Sequence, residues 1–212
     1  NSNIVVDRLN IDNGSTITSS TVAEGNAGKT TITATEELFI SGTSADDSFP
    51  SSIGAFSLGS GEAGVLAIES NDVRISQGAD ISTFSILEGS GGNIQINSET
   101  LELDNGRINA STATSQPGGD ITIRATEFVR VTGEGFDFLL EQIINPSFAG
   151  TIGLDNFTQG IYTVTASEGA AGDVLIETPN FTATDGGLVA TTTLGTGEGG
   201  NITIDTTNLL EI

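Results

Sequence analysis

Cysteine, histidine, methionine and tryptophan are all missing from this chain of 212 residues, and lysine occurs once, as Lys29. Without cysteine there is neither a disulfide framework nor a thiolate metal site. A small secreted domain would usually need such staples, whereas a long stacked sheet does not. No apolar run approaches the ~20 residues of a membrane-spanning helix. The opening Asn1-Ser2-Asn3-Ile4 lacks a charged segment followed by an apolar one, so no signal peptide lies in this stretch. Any export signal is expected to have been removed or to lie elsewhere. Positive charge is equally scarce. Six Lys and Arg side chains face 28 Asp and Glu, for a formal charge of −22. A polyanion without a basic face repels nucleic acid and anionic lipid, so neither nucleic-acid binding nor membrane insertion is expected.

High acidity often signals disorder, but the apolar content argues against it. Hydrophobic types make up 36% of the chain and recur as short Ile, Val and Leu pairs that a solvated tail would not need. Glycine is abundant at 28 residues, beside many Thr and Ser, which is an all-β composition with frequent tight turns.

The decisive feature is self-similarity. A small-residue–glycine pair followed by an alternating apolar strand occurs six times, anchored at Gly28, Gly64, Gly92, Gly119, Gly172 and Gly200. The first residues fit the same frame, with Ile4 opposite Ile96, which gives seven coils. Within a unit the period is two: Ile94 and Ile96 face one way while Asn93, Gln95 and Asn97 face the other. The pair recurs as Ile121/Ile123, Val174/Ile176, Ile202/Ile204 and Leu66/Ile68. A second strand carries Leu101/Leu103, Val73/Ile75, Leu9/Ile11 and Phe181/Ala183. A third carries Ile108/Ala110, Ile81/Thr83, Ile17/Ser19 and Val189/Thr191. Three short strands per ~27 residues cannot bury an apolar face alone; stacked in parallel they build a continuous core.

Corner residues fit this frame. Asn13-Gly14, Gln77-Gly78, Asn105-Gly106 and Asp185-Gly186 fall between the second and third strands, and Asn and Gly tolerate the positive φ of a sharp corner. Two coil types alternate. Those at Gly28 and Gly119 place their second strand one residue later, as Leu38/Ile40 and Val129/Val131. They then run into long insertions, Thr43 to Ala55 and Glu134 to Gly160, at the same corner. The last unit, with Leu210/Ile212, resembles this longer type. Both ends fall inside a coil, so the expectation is one β-helix segment spanning 1–212, part of a longer chain or filament. Loops that swell on one side of a solenoid usually house variable function.

The unit from Gly91 to Ile123, together with Val129-Arg130-Val131-Thr132-Gly133 and the segment Ser41 to Gly64, resembles the repeats of filamentous-haemagglutinin-like exoproteins. The likeness is to large cyanobacterial surface proteins of that type, sometimes labelled S-layer-like and exported by two-partner secretion. It covers nearly all of the chain. It rests on the alternation of two coil types and on the insertion Ser48-Phe49-Pro50-Ser51. The resemblance implies a right-handed parallel β-helix, an extracellular, cell-surface location and roles in adhesion, aggregation or coating. It supplies no catalytic residues. The family's N-terminal secretion domain is not visible in this sequence, so the export route follows from the repeats alone.

Adjacent carboxylates stand at Glu36-Glu37 and Asp46-Asp47. Asp46 and Asp47, in a loop, are candidate calcium ligands or an acid–base pair, against the plainer reading of a solvated acidic loop. Gly133-Glu134-Gly135-Phe136-Asp137 echoes a single calcium-binding nonapeptide, which adds Asp137 as a candidate. Such sites are built from tandem copies, and no other cofactor is indicated. Parallel β-helices also include pectin-degrading enzymes, which gather acidic and basic residues on one face of consecutive coils. Here the five arginines, Arg8, Arg74, Arg107, Arg124 and Arg130, read as scattered among coils and faces. Outward threonine rows are too mixed for an ice-binding array. The row Lys29, Val65, Asn93, Asp120, Asp173, Asn201 suggests a structural side-chain ladder. Sequons at Asn13, Asn109, Asn156, Asn180 and Asn201 carry little meaning in a bacterial chain. Phe136, Phe138, Phe148 and Phe157 concentrate aromatics in the long insertion, either packing that loop or forming a partner contact.

The function expected from the sequence is therefore a non-enzymatic stalk, filament or coat. Its expected partners are further copies of itself, end to end or lateral, surface glycans, and an outer-membrane transporter during export. The alternatives are a carbohydrate-binding module that uses the insertion loops and a polysaccharide-degrading β-helix enzyme.

Overall fold

The structure, a computed structural model, describes residues 1–133 and 159–212. These form strands β1 (Ser2–Asp12), β2 (Thr16–Thr21), β3 (Thr30–Ser41), β4 (Ser52–Ser57), β5 (Leu66–Ser76), β6 (Asp80–Ser85), β7 (Ile94–Asp104), β8 (Arg107–Thr112), β9 (Ile121–Thr132), β10 (Gly160–Thr165), β11 (Val174–Thr184), β12 (Val189–Thr193) and β13 (Ile202–Glu211). Odd-numbered strands stack into a seven-stranded sheet A and even-numbered strands into a six-stranded sheet B. Every paired strand in both sheets is parallel. The chain is a parallel β-helix of about seven coils.

The core explains the register. Ile4, Ile32, Ile68, Ile96, Ile123, Ile176 and Ile204 are in-register partners, one isoleucine for each of the seven rungs of sheet A. Sheet B faces them with Ile17, Ile53, Ile81, Ile108, Ile161 and Val189. A slip by one residue would turn each of these columns to the outside. In the inner coils these side chains are buried, and no coil has a core without its neighbours.

Two features differ from the sequence reading. Each coil has two strands rather than three, because the first two run into one another through a bend that never interrupts the sheet. Inward positions step by two, then by three across the bend, as in Ile68, Ser70, Val73 and Ile75. In β3 and β9 the step is four, from Ala34 to Leu38 and from Ala125 to Val129; this is the extra residue of the longer coil type, seen as register shifts. The inward residue at the bend is small, and Ser70 and Thr178 donate from their hydroxyls to the carbonyls of Asp72 and Asn180, which the bend frees. Second, β4 takes Ser52 to Ala55, the end of the expected first insertion, so that loop closes earlier, through a bridge between Thr43 and Pro50. Likewise Gly160 opens β10.

Corners follow from backbone chemistry. Asn13, Gln77, Asn105 and Asp185 adopt φ between 50° and 55°. The anchor glycines serve close approach instead. A Cβ on Gly92 would lie 1.8 Å from the carbonyl oxygen of Gly64, and the same clash repeats at Gly64, Gly119, Gly172 and Gly200 against the coil below. Thr83, Thr163 and Thr191 donate to the carbonyl oxygens of Gly92, Gly172 and Gly200, so the polar end of the core is satisfied from within.

Candidate functional site

Sheet B presents its outer face in three rows set by the pairing. The first row is Thr16, Ser52, Asp80 and Arg107; the second Thr18, Gly54, Ser82, Asn109 and Tyr162; the third Ser20, Phe56, Phe84 and Ser111. A β-helix face turned to water should be exposed at such positions, as Thr16, Thr18 and Ser20 are. From β4 to β10 they are buried or half-buried instead.

These rows border a groove of about 510 Å³ along the helix axis. Its middle row is small: Thr18, Gly54, Ser82 and Asn109 stand between the aromatic row and the charged row. At Gly54 the Phe56 ring folds across the space a side chain would take; a Cβ there would sit 2.3 Å from it. The short loop before β4 contributes Phe49 and Pro50 to the rim, and Tyr162 closes the row at one end. Phe49 is 67% exposed.

The polar centre is an ion pair between adjacent rungs. Arg107 Nη2 donates to Asp80 Oδ2 at 3.2 Å, and Ser82 Oγ donates to the same oxygen at 2.8 Å. Arg107 Nε faces Asp80 Oδ1 at 3.0 Å but off the hydrogen-bonding direction, so both atoms are buried with hydrogen-bonding capacity to spare. Burial opposes the charge on Arg107, but the Asp80 carboxylate outweighs it and holds the guanidinium above its ordinary pKa. Burial also pushes the Tyr162 phenol well above its ordinary range; Arg107 pulls it partly back and Asp80 adds to the rise. Asn109 accepts from Ser111 through its side-chain oxygen, and its amide nitrogen has no partner among the described residues. The groove therefore offers aromatic planes beside matched donors and acceptors with no net charge. Asp80 is the one carboxylate among the described residues that line it.

The sequence candidates lie elsewhere. Asp46 accepts from Ser44 Oγ at 2.6 Å and from the Ser48 amide at 3.3 Å, and Asp47 accepts from Thr43 Oγ1 at 2.6 Å. Those hydrogen bonds, Ser44 first, hold the Asp46 carboxyl below its usual pKa. Both carboxylates close their own loop, and no group of three metal-ligating side chains is present among the described residues. Asp137, Phe136, Phe138, Phe148 and Phe157 lie outside the described residues. Glu36 and Glu37 diverge, to Arg8 and Arg74.

The arginines are not scattered. Arg8, Arg74, Arg124 and Arg130 share the outer face of sheet A, each beside a glutamate of a neighbouring coil, and Arg107 alone serves sheet B. The Asn/Asp row does form a ladder: side-chain oxygens accept from backbone amides, Asn93 from Asp120, Asp120 from Asp173 and Asp173 from Asn201, and the Asn201 side-chain amide also donates to Asp173 at 3.0 Å. What sequence reasoning missed is Asp80, Arg107, Phe56, Phe84 and Tyr162. One signal was available: Phe56 and Phe84 stand three residues after the inward Ile53 and Ile81, an outward aromatic repeated in consecutive coils. No family model, curated protein or solved structure matches this sequence.

Proposed function

We propose that this solenoid is a non-enzymatic stalk, filament or coat at the cell surface, of the filamentous-haemagglutinin-like type, exported by two-partner secretion and engaged in adhesion. The observation that supports the reading is the unbroken seven-stranded parallel ladder of sheet A. Each coil adds roughly 4.8 Å along the axis, so seven coils extend about 34 Å. With contacts only between neighbouring coils, rigidity comes from repetition, and the chain can fold coil by coil after passing an outer-membrane transporter unfolded. Glutamate–arginine pairs between successive coils stiffen the outer face of sheet A. Other copies of the same chain and surface components of a neighbouring cell are the partners this reading calls for.

Labelling intact cells of the source organism with antibodies raised to this chain tests it. The expected result is label on the unpermeabilised surface. Label that appears only after permeabilisation overturns the proposal.

A further inference from the structure

A solenoid that served only as a spacer would gain nothing from a mixed aromatic and polar groove on one flank. The outer face of sheet A shows what a plain flank looks like: exposed side chains and ion pairs half in water. Sheet B instead carries Phe56 and Phe84 on adjacent rungs, each with part of its ring exposed, opposite a largely buried Asp80–Arg107 pair. Between them runs a row narrow enough for Phe56 to lean over Gly54.

The lining selects its ligand by elimination. A peptide adding as a strand needs an open sheet edge, and the groove lies on a sheet face whose backbone is already paired. A purely apolar ligand would leave the Asn109 amide nitrogen without a partner and strip water from the exposed part of Arg107. An anionic ligand meets a protein of charge −22 whose groove arginine is already neutralised. A pyranose ring meets every condition. Its C–H face packs on aromatic planes, and its hydroxyl edge both donates and accepts. A groove of about 510 Å³ falls within the size range of small-ligand clefts, ~300–1,000 Å³.

We infer that the groove on the outer face of sheet B binds an uncharged glycan. One pyranose stacks against Phe56 and Phe84, and its hydroxyls meet Asp80, Arg107 and the amide of Asn109. Phe49 and Pro50 of the preceding loop extend the apolar side of the groove, so the short insertion serves recognition. The inference does not depend on the stalk reading. A glycan could be bound by a solenoid in any location, and surface labelling does not bear on it.

Neutral gluco-, manno- and galacto-oligosaccharides, immobilised and then titrated calorimetrically against the chain, test this. The expected result is that one series binds, that Phe84→Ala weakens it by about tenfold, and that Asp80→Asn weakens it at least as much. Thr122→Ala, on the outer face of sheet A, should leave binding unchanged. Circular dichroism establishes that each variant is folded. If Asp80→Asn or Phe84→Ala does not fold, amide-shift mapping on the parent chain with the bound oligosaccharide takes its place. Shifts centred on Gly54, Ser82 and Asn109 sustain the site; shifts centred elsewhere overturn it. Failure of all neutral series to bind, binding only to uronic-acid polymers, or undiminished binding by folded Phe84→Ala likewise overturns the inference.

Discussion

On the outer face of sheet A, Arg74, Glu102 and Arg130 occupy one row on three successive coils, and all three stay partly in water. On the outer face of sheet B, Asp80 and Arg107 are also row neighbours, yet the Asp80 side chain is only 7% exposed. The repeat places opposite charges one coil apart in both cases. What differs is the company. Arg130 stacks over Phe128 at 5.1 Å and pairs with Glu102 while half its side chain stays in solvent, whereas Asp80 and Arg107 sit within a groove bordered by phenylalanines, a proline and a tyrosine. In a solenoid the core is common property, so an outer face is free to be plain or specialised without altering the fold.

That freedom exists only if both faces hang on one core, and the largest expected effect tests it. Ile121 is fully buried between Ile94 and Val174. Ile121→Asp buries a carboxylate with no partner and should cost more than about 4 kcal/mol, unfolding the neighbouring coils. A variant that melts with the parent would mean that the register is wrong for both faces. Next in size is Gly92→Ala. The added methyl meets the Gly64 backbone, which cannot swing aside as a side chain would. A loss of about 3 kcal/mol is expected in chemical denaturation; a neutral substitution would show that the coils are not in close backbone contact at this column.

The faces themselves separate on charge removal. Asp80→Asn leaves the largely buried Arg107 without its counter-charge and should destabilise by about 2 kcal/mol, less than for a fully sealed pair because Arg107 retains some solvent. Arg74→Ala, half exposed and 3.6–3.8 Å from its glutamates, should cost less than about 1 kcal/mol. Thermal melts of the two variants check the ordering. Equal effects would erase the distinction between a plain and a specialised face.

How much of this was legible depended on which residues repeat in sequence and which meet only in space. The isoleucine columns were readable because one spacing recurs from coil to coil, and the corner residues because few side chains accept φ near 50°. The bend that fuses two expected strands was not, since a step of three between inward positions looks like a break until the sheet is seen to continue through it. Ile53 was hidden because insertions differ in length and shift the third strand out of frame. The Asp80–Arg107 pair was hidden for a similar reason. Gly78 is followed by Ala79 before Asp80, whereas Gly106 leads directly to Arg107, so counting from the corner misaligns them. Counting back one residue from Ile81 and Ile108 makes them neighbours.

The smallest expected effect concerns the loop that links corner to groove. Ser44 Oγ accepts from the Phe49 amide at 3.0 Å and donates to Asp46, so the Asp46 carboxylate holds the hydroxyl that positions Phe49 on the groove rim. The folded pKa of Asp46 lies below its ordinary value, chiefly through Ser44 and Ser48. A depressed carboxylate stabilises its loop above the ordinary carboxylate range and loses that contribution as pH falls through the folded pKa. Acidification should therefore shift the Ser48 and Phe49 amide resonances together, before the coils unfold, and Asp46→Asn should remove the titration. The Asp120 and Asp173 carboxylates also accept from backbone amides, those of Asp173 and Asn201, so the comparison with Asp46→Asn is what isolates the loop. If Ser48 and Phe49 do not move, or move equally in Asp46→Asn, the carboxylate is not what sets the rim.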